Sequence, residues 1–173
     1  MNRRTTLAAV AVVLSVLTAC GTGEPESAPA TGTTTAPQFG PVKGGPLDGA
    51  DPCALLTKAE AEQVTGAQTA EPAVEQLGAA KVCNFSPEKA RLGVGIRTST
   101  GLDAVQSNGN PVDEITIGRH RAKQAVGATG SCGIFIGVTD SSRVDVVLNS
   151  GSPDEDPCPA ALRVAELVEP RLP

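Results

Sequence analysis

Aromatic side chains are scarce in this sequence: its 173 residues include no Trp, no Tyr and only three Phe. A hydrophobic core therefore has to be built from Val, Leu, Ile and Ala, whose side chains bury less area than aromatic rings. Without Trp and Tyr the chain also lacks the rings on which bound sugars usually stack, which disfavours a glycosidase.

Positive charge is also in short supply. Lys and Arg number 14 against 19 Asp and Glu, which gives a formal net charge of −5. Without Arg3 and Arg4, which precede an apolar segment, the balance is 12 against 19 and the net charge is −7. Nucleic-acid binding and a polybasic membrane-surface helix both need clustered cations, so the composition argues against each of them.

Histidine occurs once, and the cysteines form no Cys-x-x-Cys pair. A zinc site needs closely spaced ligands, and a serine hydrolase needs a base beside its serine, for which only His120 could serve. The acidic run Asp154 to Asp156 lacks the spacing of a calcium loop and suits a helix start, whose dipole favours acids. We predict no metal, no cofactor and no catalytic residue, with an unrecognised hydrolase site as the alternative.

The first 20 residues have the parts of a bacterial lipoprotein signal. A positive start at Arg3 and Arg4 precedes the 11-residue apolar run LAAVAVVLSVL. This run is too short to span a bilayer, which takes roughly 20 residues, but it fits the h-region of a signal peptide. The segment LTAC, ending at Cys20, resembles a lipobox. We therefore predict a signal peptide over 1–19 and a lipid on Cys20 that anchors the protein outside the cell membrane. A twin-arginine export route and an ordinary secretory signal stay open.

Residues 20–50 are rich in Gly, Pro, Ser, Thr and Ala and show no apolar periodicity. Such a segment buries too little surface to offset the entropy of ordering it, which predicts a disordered tether. About 30 residues at roughly 5–6 Å × √n give it a reach of about 30 Å. The rest of the chain, 51–173, is predicted to be a single extracytoplasmic domain.

Four cysteines lie in this domain, and an exported chain with an even number of cysteines indicates disulfides. Three pairings are possible. We favour Cys83–Cys132, because both lie in strand-like runs, and Cys53–Cys158, because both follow Asp-Pro at the start of helical runs. Closing these loops of about 49 and 105 residues would contribute roughly 4 and 5 kcal/mol in the chain-entropy model.

Two helices follow from capping signals and periodicity. Thr57 and Glu60 match a capping box, and the helix that they begin should end at Gly66. Asp156 and Pro157 match the N-cap and N1 positions of a second helix. The apolar stripe of that helix consists of Ala161, Val164, Ala165 and Val168.

Between the helices the hydrophobic pattern changes to period two. We predict strands over 91–97, 132–139 and 143–149, with weaker candidates over 80–85 and 114–119. The Asp-Ser-Ser turn between the last two clear runs predicts a hairpin, and 101–113 should form a loop with a short helical start. The expected fold class is α+β: an antiparallel sheet of about five strands, with N- and C-terminal helices packed on one face and two disulfides.

Several of these segments together resemble a known family. They are DPCALLT at 51–57, IGR at 117–119, DPC at 156–158 and LP at 172–173, with Cys83 and Cys132 between them. With the lipobox, this pattern is similar to the actinobacterial lipoproteins grouped as the domain of unknown function 3558 family (DUF3558). The resemblance implies an envelope location and a shared fold. Because that family has no assigned activity, it implies no catalytic residue.

A face of glycines is the first candidate binding surface. Gly93, Gly95, Gly133 and Gly137 all fall opposite the apolar residues of their strands. Glycine inside a strand often marks the close approach of a ligand or another backbone, so we predict a shallow groove centred on Phe135. The alternative is that a loop or the tether covers this face.

A small basic patch from Arg119 to Lys123 is the second candidate. It contains His120 and Arg121, and it predicts either a contact with an anion or partner protein, or a solvated strand end. The expected function is that of a non-enzymatic envelope lipoprotein that binds an envelope protein or a small apolar ligand.

Overall fold

The computed structural model describes residues 45–107, 109–152 and 154–173. The predicted signal peptide, Cys20 and most of the predicted tether lie outside these residues. The elements are α1 (Lys58–Thr65), β1 (Ala73–Leu77), β2 (Ala80–Phe85), β3 (Arg91–Arg97), β4 (Val112–Ile117), β5 (His120–Val126), β6 (Ser131–Thr139), β7 (Ser142–Asn149) and α2 (Cys158–Val168). Three short 3₁₀ turns span Pro52–Ala54, Leu102–Ala104 and Glu169–Arg171.

The strands form one sheet in the order β1-β2-β3-β7-β6-β5-β4, in which all neighbours are antiparallel. This confirms the α+β class and the hairpin of β6 and β7. The alternating apolar residues of β3, β6 and β7 all face one side, which we call the inner face. They are Leu92, Val94, Ile96, Cys132, Ile134, Ile136, Val144, Val146 and Leu148, each at most 3 % exposed.

α1 begins as its capping box predicts, whereas α2 begins one residue later than predicted, with Pro157 rather than Asp156 at its N-cap. The Thr57 hydroxyl accepts a hydrogen bond from the Glu60 amide at 3.2 Å, and the Glu60 carboxylate accepts one from the Thr57 amide at 2.9 Å. α1 ends at Gly66, whose φ of 85° suits glycine. At the second helix, the Asp156 carboxylate accepts a hydrogen bond from the amide of Cys158, the first residue of α2.

The inner face is covered mainly by α2. All four residues of its predicted stripe are completely buried, and α2 packs against β6, β7 and α1. The 3₁₀ turn Pro52–Ala54 packs against β1, β2 and β3. The core is thus a layer between the sheet and these helical elements. Among the described residues, the opposite, outer face of the sheet carries no helix longer than the turn Leu102–Ala104.

Within the described ranges the sheet has seven strands rather than about five. β1 and β5 were missed. Every residue of β1 is exposed, so burial imposes no apolar alternation on this edge strand. In β5, with the sequence HRAKQAV, only two alanines and one valine are apolar, and the charged residues hide the period of two.

The predicted disulfide pairing is wrong. Cys53 pairs with Cys83, and Cys132 pairs with Cys158. Cys83 lies on β2 and Cys132 on β6, with β3 and β7 between these strands. Three strand spacings of about 4.8 Å separate them, whereas a disulfide needs Cα atoms within about 7 Å. Each bridge instead ties a helical element to a strand on the inner face, with Cα separations of 5.0 and 5.1 Å.

The packed region also begins before residue 51, the predicted start of the domain. Leu47 is 3 % exposed and belongs to the core. It lies within a turn that is closed by a hydrogen bond from the Gly45 amide to the Asp48 carboxylate. The last residues assigned to the tether therefore belong to the folded part of the chain.

Candidate functional site

The two glycines of β3 lie on the outer face of the sheet. The register pairs Gly95 with Val82 on one side and with Asp145 on the other. A Cβ atom at either Gly93 or Gly95 would lie 3.3 Å from a methyl carbon of Val82. The Val82 side chain therefore lies against both glycines, and the missing side chains lower the floor of the sheet beside it.

A groove of about 580 Å³ follows these glycines across β1, β2, β3 and β7. Its apolar lining includes Val82, Leu77 and Val147, and the last two are 49 % and 40 % exposed. Arg91 and Arg97, the two end residues of β3, line it as well. This β3 groove has an apolar floor with a cation at each end of the strand, and its volume is in the range typical of small-molecule sites.

The other half of the predicted glycine face is covered. A Cβ atom at Gly133 would lie 2.6 Å from the ring of Phe135, and one at Gly137 would lie 2.7 Å from a methyl carbon of Leu102. These side chains occupy the space that the glycines leave. The groove therefore lies on β3 and not around Phe135. Over Gly137 the second alternative holds, because the loop that contains Leu102 covers this glycine.

Charged side chains are buried beside the β3 groove. The Asp145 carboxylate accepts hydrogen bonds from the Nε atoms of Arg97 and Arg143, each at 2.6 Å. Arg143 also donates to the carbonyl oxygen of Gly101 at 2.6 Å, and its guanidinium lies 5.4 Å from the centre of the Phe135 ring. The side chains of Arg143 and Asp145 are 7 % and 9 % exposed, against 30 % for Arg97. Arg97 is therefore the member of this cluster that solvent can reach.

The predicted basic patch is divided between two environments. Arg119 donates from its side chain to the carbonyl oxygen of Leu172 at 2.8 Å. His120 is 8 % exposed, with Nδ1 at 2.8 Å from a Glu169 carboxylate oxygen and Nε2 at 3.2 Å from the Pro173 carbonyl oxygen. Arg121 is exposed. Arg119 and His120 thus hold the C-terminal segment against the β4–β5 turn. His120 is withdrawn from solvent, whereas Arg119 stays exposed.

Glu169 is the centre of this C-terminal latch, which consists of Arg119, His120, Glu169 and Leu172. Hydrogen bonds from the Arg119 amide and from His120 lower the pKa of the Glu169 carboxyl below its ordinary value. Gly118, with a φ of 55°, forms the turn over it. A Cβ atom at Gly118 would overlap the Glu169 carboxylate, so this close approach requires glycine.

A smaller cavity of about 260 Å³ lies beside the same turn. Arg119 and Arg121 line it, but so do Asp103 and Asp140. Since both signs of charge are present, this cavity has no clear preference for an anion.

The family follows from the comparison of the whole chain with known proteins. Residues 15–171 match the family model described as Protein of unknown function (DUF3558). The chain belongs to this family. No curated protein and no solved structure matches it.

The described residues of this DUF3558 protein include one histidine and four cysteines, and all four cysteines are in disulfides. Among residues 45–107, 109–152 and 154–173, no three His, Cys, Asp or Glu side chains are grouped to hold a metal ion. Both ring nitrogens of His120 face oxygen atoms of the chain itself, so the imidazole is not placed to act on a substrate. In the same part of the chain, no helix is long and apolar enough to cross a membrane.

Sequence reasoning found the glycines of β3 but missed Val82, Asp145 and Arg97. The period of two along β3 places Arg91, both glycines and Arg97 on one face, so the sequence of this strand was enough to associate Arg97 with the glycines. Val82 and Asp145 come from β2 and β7, and the register that brings them beside Gly95 is a property of strand pairing. A single sequence does not specify it.

Proposed function

We propose that this DUF3558 chain is a lipid-anchored protein of the cell envelope, and that it binds a small apolar ligand in the β3 groove without catalysing a reaction. The observation that carries the binding role is the groove itself. It is open, it is floored by Val82, Gly93 and Gly95, and the exposed side chains of Leu77 and Val147 flank it. Burying such surface against a ligand is favourable by about 25 cal/mol per Å².

The location is supported by the sequence. The short apolar run after Arg3 and Arg4 suits export, and the segment LTAC places Cys20 where a lipid would be attached. Two disulfides within the described residues suit an oxidising compartment. A lipid with two acyl chains would anchor the chain stably, at about 0.8 kcal/mol for each buried CH₂ group.

The binding role can be tested by native mass spectrometry of the protein purified from its own membranes. We expect an extra non-covalent mass beyond that of the lipid on Cys20. Val147→Glu should remove this mass, because it places a negatively charged side chain in the groove. Val126→Glu is the matched control, since Val126 is 41 % exposed against 40 % for Val147 but does not line the groove. Equal retention of the mass by both variants would refute the proposed site.

The anchor has its own test. Cys20→Ser should shift the protein from the membrane fraction to the soluble fraction and remove the mass of the lipid. A variant that stays in the membrane fraction without lipid would contradict lipid anchoring.

A second candidate is the binding of an envelope protein at β1. This edge strand has five exposed residues, with Val74 and Leu77 at 47 % and 49 % exposure. An extended segment of a partner could pair with its free backbone groups. Residue-specific crosslinking from Gln76 would then capture the same partner repeatedly, whereas the apolar-ligand role predicts no such partner.

A further inference from the structure

Arg97 has unused hydrogen-bond donors in the β3 groove. Its Nε atom donates to Asp145, while its two terminal nitrogens have no hydrogen-bond partner among the described residues. The side chain is 30 % exposed and lines the groove. Asp145 fixes one edge of the guanidinium, so the two terminal nitrogens keep their orientation even when no ligand is bound. This preorganisation lowers the entropic cost of binding an anion there.

The charge count around Asp145 leaves one positive charge unmatched. Two guanidiniums share this single carboxylate, and the buried Arg143 is also bonded to the Gly101 carbonyl oxygen. Of these two guanidiniums only that of Arg97 lines the groove, where the Asp145 carboxylate is its neighbour, so the excess charge is available there. The protein as a whole has a net charge of −5, which makes this local excess a departure from its overall character.

The surroundings of Arg97 are mainly apolar. Val82 lies against the glycine floor next to it, and Leu77 and Val147 line the same groove. The one acidic side chain on the β1 side, Glu75, accepts a hydrogen bond from the Asn84 amide at 2.9 Å. At the other end of β3, about 20 Å away for six residues of strand, Arg91 forms no ion pair within the described residues.

We propose that the β3 groove takes a carboxylic acid with an unbranched apolar chain. The carboxylate binds the terminal nitrogens of Arg97 through two parallel hydrogen bonds, and the apolar chain lies over Gly95, Gly93 and Val82. A planar monoanion matches both the fork of the guanidinium and the single unmatched charge. This assignment rests on the proposed binding role and adds the chemistry of the ligand and the residue that selects it.

The probes are decanoate and decanol, which differ only at the head group. We would use the full-length chain with Cys20→Ser and both disulfides formed, so that neither membrane nor detergent competes for the groove. The amides of Gly93 and Gly95 report binding in a ¹⁵N–¹H correlation spectrum. We expect decanoate to shift both signals with a Kd at least about ten-fold lower than that of decanol, because charged hydrogen bonds are worth about 1.5–3 kcal/mol.

Three variants identify the selecting residue. Arg97→Gln should weaken decanoate binding to the level of decanol and leave decanol binding unchanged. Arg97→Lys should lie between Arg97→Gln and the unaltered protein, because lysine keeps the charge and loses the fork. Arg91→Gln is the matched control from the other end of β3 and should change decanoate binding less than three-fold. The signals of residues on the inner face show whether each variant is folded.

The outcomes separate the two proposals. If decanol binds as tightly as decanoate, or if Arg91→Gln is the variant that abolishes the difference, the assignment to Arg97 is overturned and the apolar groove remains. If dihexanoylphosphatidylglycerol binds more tightly than decanoate, the carboxylate is the wrong head group. If no probe shifts Gly93 and Gly95, the proposed binding role itself fails.

Discussion

The two faces of the sheet are built from the same strands and differ in almost every physical respect. In β3, Leu92, Val94 and Ile96 face inward and are at most 3 % exposed, whereas Gly93 and Gly95 face outward beneath an open groove. The inner face is covered by α2, and both disulfides link helical elements to its strands. Stability is therefore expected to depend on the inner face, and binding on the outer one.

The disulfides should give the largest effects. The bridges close loops of 30 and 26 residues, each worth about 3.5 kcal/mol in the chain-entropy model. Replacing Cys53 and Cys83 together, or Cys132 and Cys158 together, by Ala should lower the free energy of unfolding by about this amount in urea titrations. Replacing Cys83 and Cys132 together breaks both bridges and should cost about twice as much. A smaller loss in this mixed variant than in the matched pairs would contradict the pairing.

Removing one large side chain from each face contrasts them directly. Phe85 is 1 % exposed on the inner side, and Phe85→Ala should lower the free energy of unfolding by about 3–5 kcal/mol, because it leaves a cavity. Val147→Ala on the outer face, where Val147 is 40 % exposed, should cost less than about 1 kcal/mol. Similar losses in urea unfolding for the two variants would mean that the outer face contributes more to stability than its exposure indicates.

Turn glycines provide a finer comparison. Gly118 and Gly78 both have positive φ, at 55° and 58°, but only Gly118 lies against a side chain, that of Glu169. Gly78→Ala should cost about 1–2 kcal/mol for the left-handed backbone alone. Gly118→Ala should cost at least about 1 kcal/mol more, because its Cβ displaces the carboxylate. Equal changes in thermal unfolding would show that the latch moves aside freely.

The smallest expected effect is the loss of the stabilisation by Glu60 as the pH falls. The pKa of the Glu60 carboxyl falls from 4.5 to about 2, chiefly because the Thr57 amide donates a hydrogen bond to it, followed by Arg171 and the Thr57 hydroxyl. A carboxyl with a lowered folded-state pKa stabilises the fold above its unfolded pKa and loses that contribution as the pH falls. Glu60→Gln should therefore cost about 1 kcal/mol at neutral pH, because it removes the charge that strengthens the hydrogen bonds from Arg171 and Thr57. The difference should shrink between pH 4.5 and pH 2, and a constant difference in urea unfolding over this range would refute the assignment.

Sequence patterns predicted the inner face well and the outer face poorly, for one physical reason. Residues that face the core repeat with the period of the helix or strand to which they belong. The apolar stripe of α2 and the alternation in β3, β6 and β7 could therefore be recognised from the sequence of each segment alone. The exposed strand β1 has no buried side to impose a period. The disulfides, Val82 beside Gly95 and the pairing of Asp145 with two arginines all depend on which strands are neighbours, and the local pattern does not contain this information.

The C-terminal latch, together with Arg171, makes its contacts late in the completion of the fold. Arg171 donates to Glu60 in α1 and to the carbonyl oxygen of Leu55, while Glu169 and Leu172 hold the β4–β5 turn. These residues follow all seven strands in the chain. Because synthesis runs from the N-terminus, the beginning of the domain and its outermost hairpin are fastened together only after every strand has been made. Both therefore remain without their last contacts while the chain is incomplete.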